Sequence, residues 1–150
     1  MRRAFPILAS VLVLAVVVQF FLAASGAYDP APTDEAFQPH RGLGYGVVLY
    51  ALLLTVLAAL ARMPGRLTGM TGLVAGLGLV QIVIRASADA VTDTGPAGGT
   101  AGKLVFGVHA VNGLTILALA GIVAWRAGAL SKSTVDDRPV AAGTSPEAGS

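Results

Sequence analysis

Cysteine is absent from the chain. Its absence excludes disulfides, thiolate metal ligands, covalently attached c-type haem and thiol redox chemistry. Charge is scarce, at 12% of residues against about 25% in an ordinary soluble domain. No Asp or Glu stands inside any of the long apolar runs. Proton- and cation-coupled transport commonly uses such an acid, so a transporter is disfavoured. The pI near 9.4 does not point to nucleic acid, because the basic residues are scattered at the ends of apolar runs, where membrane proteins place them.

What is present is apolar: 55% of the 150 residues are hydrophobic and the mean hydropathy is +0.75. Crossing the ~30 Å hydrocarbon core takes about 20 apolar residues of helix. Four runs meet that length, at about 5–27, 42–61, 67–86 and 104–125. The expected fold is an all-α membrane protein, a four-transmembrane-helix antiparallel bundle over 1–127, followed by a disordered cytoplasmic tail over 128–150 that turns polar and rich in Ser, Gly, Pro and Ala. The first run exceeds the 7–15 residues of a secretory signal, so it reads as a retained span despite the small residues Ser25-Gly26-Ala27. Pro39 sits where a helix can begin, just before His40 and Arg41. The Gly/Ala/Thr stretch Ser87–Lys103 predicts no structure.

Orientation follows from Lys and Arg. Arg2, Arg3, Arg62, Arg66, Arg126, Lys132 and Arg138 fall on one side, and Arg41, Arg85 and Lys103 on the other. The positive-inside rule then puts both termini in the cytoplasm of a bacterial cell, with the chain multi-pass in its plasma membrane.

With that orientation the polar intramembrane groups gather at one depth. Gln19 lies in the outer half of span one, His40 and Arg41 at the outer start of span two, and Gln81 and Arg85 near the outer end of span three. His109 and Asn112 lie roughly 8–12 Å inside span four, at 1.5 Å per residue. The inner half holds almost nothing polar beyond Thr55 and Thr68. Groups of this kind are costly in lipid and face the bundle interior or a cavity, so a layer of them is a candidate site.

Two histidines suit a b-type haem, since neutral imidazole is a strong axial ligand and helix bundles bury cofactors between facing helices. Gly44 follows His40 by four and Gly113 follows His109 by four, so each lies one turn deeper on its histidine's face, where a flat macrocycle needs small residues. Arg41, Arg85 or Lys103 could bind propionates. Gln19, Gln81 and Asn112 could orient the imidazoles. The competing reading is structural: a polar layer that fixes helix packing, with His40 cheap at the interface, His109 bonded to a glutamine and the glycines serving packing alone. Zinc wants more ligands than two histidines provide, unless Asp34 or Glu35 reaches over. An enzyme is not indicated, for no acid–base pair is visible. The partners expected are the lipid bilayer and either a protein partner or a second copy of the chain.

The patterns VVQFFLA, PHRGLGY, LVQIVI and VHAVNGL, in that order, resemble a family of small four-span bacterial membrane proteins of unknown function. That resemblance covers about Phe5–Arg126 and implies no activity. More distantly the arrangement resembles one four-helix half of haem A synthase, in which histidines at the outer ends of the second and fourth helices hold a b-type haem; His40-Arg41 and His109 fall in matching places. The catalytic half of that enzyme has a glutamate three residues before its first histidine, where this chain has Phe37, and the enzyme has two such halves. The resemblance therefore implies a haem-site geometry and no oxygenase chemistry.

Overall fold

The computed structural model describes residues 4–92 and 99–136. Those residues form five helices: α1 (Phe5–Ala27), the single turn α2 (Thr33–Ala36), α3 (Gln38–Leu60), α4 (Gly65–Thr92) and α5 (Thr100–Asp136). No strand occurs among them. Within α1, α3, α4 and α5 lie four segments long and apolar enough to cross a membrane.

The helices outrun the apolar windows that announced them. Hydropathy marks what lipid covers, whereas a helix continues as long as its backbone hydrogen bonds do. The second span was expected from 42, but α3 starts at Gln38, so His40 and Arg41 stand inside its first turns. Pro39 falls in the opening turn, where its fixed φ suits a helix and its missing N–H costs nothing. Helix α4 runs on to Thr92 and α5 resumes at Thr100, so both ends of the stretch expected to lack structure are helical; 93–98 lie outside the described residues. Helix α5 likewise passes Trp125 and reaches Asp136, so the first nine residues of the expected tail, 128–136, are helical. No proline interrupts them before Pro139. The rest of that tail, 137–150, lies outside the described residues.

Each long helix packs against two others, in the ring α1–α3–α4–α5–α1. The diagonal pairs, α1 with α4 and α3 with α5, do not pack directly among the described residues. The core is built from four seams. Phe5, Ala9, Leu12 and Val16 of α1 are buried, as are Ala51, Leu54 and Ala58 of α3, Leu67, Thr71 and Val74 of α4, and Ile116, Ala120, Val123 and Ala127 of α5. Each set advances in steps of three and four, the rhythm of helices that pack with small crossing angles. The alanines bring backbones close, as membrane helices do where lipid gives no hydrophobic drive to association. Tyr50 ties α3 to α1 by donating to the Leu8 carbonyl at 2.9 Å. Thr71, fully buried, donates to the Leu67 carbonyl of its own helix at 2.9 Å, so it leaves no hydroxyl unsatisfied.

The α3–α4 turn is closed by Arg62 at φ 50°, a left-handed conformation that glycine usually supplies. The Met63 N–H then bonds the Ala58 carbonyl at 3.0 Å and the buried Met63 side chain seals the turn. At the other end of the molecule the α1–α3 connection folds back tightly. A Cβ on Gly26 would stand 2.9 Å from the Ala36 carbonyl oxygen and 3.2 Å from the Phe37 ring.

Candidate functional site: a polar layer between four helices

The wholly buried seams occupy the first half of α1, the second half of α3, the first half of α4 and the second half of α5. The polar groups gather in the complementary halves. His40, in the opening turns of α3, bonds through Nδ1 to the main-chain carbonyl of Gln19 on α1 at 3.0 Å. A helical carbonyl can only accept, so this Nδ1 carries a proton and donates it. The His109 ring, on α5, lies 6.3 Å from the His40 ring between centroids, with a 56° angle between planes. The two imidazoles thus meet across the α3–α5 diagonal, where the helices themselves do not pack. Phe37, the last residue before α3, sets the edge of its ring against His40 at 6.2 Å.

On the other side of His109 the layer is held by amides. Gln81 Nε2 donates to the main-chain carbonyl of His109 at 3.1 Å. Asn112 Nδ2 donates to Gln81 Oε1 at 2.8 Å and to the Leu77 carbonyl at 3.0 Å. Both ends of the Gln81 amide are therefore engaged, and α4 and α5 are stitched together beside the histidine. Arg85 stands one turn beyond Gln81 on the same helix. Two wholly buried side-chain atoms in the layer lack a partner: Gln19 Oε1 and His109 Nδ1.

The space that Gly44 and Gly113 free is filled by side chains of other helices. A Cβ on Gly44 would meet Gln19 Nε2 at 2.9 Å. A Cβ on Gly113 would meet the Phe20 ring at 3.4 Å and Gln81 Nε2 at 3.5 Å. The absence of side chains there admits glutamine and phenylalanine into the interior. Arg41 turns away to the α1–α3 connection, where it bonds the Asp34 carbonyl and faces the Asp34 carboxylate at 3.5 Å. Asp34 is thereby engaged with Arg41, and among the described residues no group of three or more His, Asp and Glu stands ready to hold a metal ion. Lys103 lines a groove of about 580 Å³ on the exposed flank of α5, with Leu77, Leu104, Val108 and Asn112, and neither histidine borders it.

Of the nine candidates, the structure brings together Gln19, His40, Gly44, Gln81, His109, Asn112 and Gly113, with Arg85 one turn beyond Gln81 and Arg41 apart. Sequence reasoning missed Phe20 and Phe37 as neighbours of the layer. Phe37 precedes His40 by three, a spacing that shares a helical face, so the signal was present.

Residues 19–88 match the model of a family described as "Family of unknown function (DUF6220)". The match takes in Gln19, Phe37, His40, Gly44 and Gln81 and ends before α5, so His109, Asn112 and Gly113 lie outside it. No curated protein and no solved structure matches the chain.

Proposed function

We propose that this protein is an antiparallel four-span bundle of a bacterial plasma membrane, with both termini cytoplasmic, that holds one b-type haem near the outer leaflet between His40 and His109 for electron transfer or haem handling with a protein partner. The observation that carries the reading is the approach of the two imidazoles. Two imidazoles bonded to opposite sides of one metal ion, each through nitrogen at about 2 Å, have ring centres roughly 6 Å apart. The centroids here are 6.3 Å apart. The bond from His40 Nδ1 to a main-chain carbonyl supports it too, because metal-ligating histidines almost always donate their second N–H to such a group.

His40 and His109 would hold the iron, and Phe37 would fix the His40 ring plane by edge contact. The Phe20 ring, which now stands against Gly113, would turn aside. Bound there, haem b supplies one-electron transfer. The chain's own contribution is to exclude water, orient both rings and keep the site within one layer of the bundle.

The second reading rests on a specific observation as well. Glutamine side chains occupy the glycine-lined space, and Gln81 and Asn112 are bonded to each other and to main-chain carbonyls, as in a packing layer that needs no cofactor. An absorption spectrum decides between the two. Protein purified in mild detergent from haem-replete cells is expected to show a Soret band with sharp reduced α and β bands, lost in both His40→Ala and His109→Ala. A colourless protein that stays colourless with added hemin overturns the haem reading and leaves the packing layer.

A further inference from the structure

The polar layer contains two buried atoms without partners, and they are complementary. Gln19 Oε1 is an acceptor without a donor; His109 Nδ1 is a ring nitrogen without any partner. Burying either alone forfeits its hydrogen bond with water and receives nothing back. Both ends of the Gln81 amide and the Asn112 amide nitrogen are engaged elsewhere. Gln81 Oε1 takes the Asn112 amide, Gln81 Nε2 goes to the His109 carbonyl, and Asn112 Nδ2 is shared between Gln81 and the Leu77 carbonyl. Gln19 is also already tied to the histidine pair, for its main-chain carbonyl accepts from His40 Nδ1 at 3.0 Å, and the His40 ring lies 6.3 Å from the His109 ring.

We propose that Gln19 is the positioning residue of both imidazoles: its main-chain carbonyl takes the Nδ1 proton of His40, and its side-chain Oε1 takes the Nδ1 proton of His109 through one bridging water. This deepens the two-histidine reading and rests on it for its use, because it leaves both Nε2 lone pairs free for one occupant between the rings. One residue of α1 then sets the tautomer on α3 through its backbone and on α5 through its side chain. Gly44 has the matching role. With no Cβ, it lets the Gln19 amide lie along α3 one turn below His40, where a methyl group would stand 2.9 Å from Nε2.

The chain has two histidines in all, so ¹⁵N-histidine labelling gives one spectrum per site. The experiment uses the full chain in lipid nanodiscs, made in haem-deficient cells, so its outcome is independent of whether haem binds. In the wild type both rings are expected in the Nδ1–H form, rather than the Nε2–H form that free imidazole prefers. Gln19→Met is expected to leave His40 unchanged, since its partner is backbone, and to turn His109 mostly to Nε2–H. Gln19→Glu keeps an acceptor oxygen and is expected to restore the wild-type signal of His109. A wild-type His109 in the Nε2–H form overturns the proposal without any variant. So does a His109 signal that Gln19→Met fails to move while the His40 signal reports an intact fold.

Discussion

At the scale of the residue, the layer is decided by which atoms are left over. Histidine, glutamine and asparagine in lipid are legible from sequence as a cluster, because span order and the positive-inside rule put them at one depth. What spacing alone could not resolve is the direction of each side chain. His40 and Gly44 share a face, yet whether that face holds a flat ligand or a glutamine depends on Gln19, twenty-one positions before His40 and on another helix. Arg41 was legible as a cation at the boundary and not as the partner of Asp34, because that contact depends on how the proline-rich connection folds back. The tightest point of that connection is Gly26, whose missing Cβ faces the Ala36 carbonyl at 2.9 Å. Backbone cannot yield as the end of a flexible side chain can, so Gly26→Val is expected to cost about 1–3 kcal/mol, the ordinary penalty of overpacking. Thermal unfolding in detergent, followed by circular dichroism, measures it; an unchanged midpoint would mean the connection is looser than drawn.

At the scale of the element, the four helices were legible in number and approximate place, and their ends were not. Apolar windows stop where lipid stops, whereas α5 carries its hydrogen bonds through 37 residues, roughly 55 Å at 1.5 Å each. Nearly half of that length lies beyond a hydrocarbon core of ~30 Å. The seams were hidden for a different reason. Membrane helices are apolar all round, so the buried face is marked by small residues in three-and-four steps instead of by hydrophobicity. Ala58 and Ala120 are fully buried, whereas Leu60, on the same turn as Ala58, is 73% exposed. Enlarging either alanine, as Ala58→Leu or Ala120→Leu, is expected to destabilise by about 1–3 kcal/mol. Leu60→Ala is expected to change stability by well under 1 kcal/mol, as exposed sites do. Reversible unfolding in mixed micelles compares the three.

At the scale of the whole molecule, orientation is the property to test, and the lack of cysteine makes it accessible. Single cysteines at Tyr28, Arg66 and Lys132, all on exposed positions, can be labelled one at a time with a membrane-impermeant maleimide. With both termini cytoplasmic, Tyr28→Cys is expected to react in intact cells, and Arg66→Cys and Lys132→Cys only after permeabilisation. The reverse pattern would invert the bundle and move the histidine layer to the cytoplasmic leaflet.

The molecule is also unequal end to end. One end is closed by alanines at zero exposure, and the other by long polar side chains, two of them with an orphaned buried atom. Empty volume is what hydrostatic pressure removes. An alanine-sealed end has little to surrender, so compression is expected to act first at the histidine end, where two buried polar atoms lack partners. The two histidines therefore stand at the end of the bundle expected to yield first under pressure.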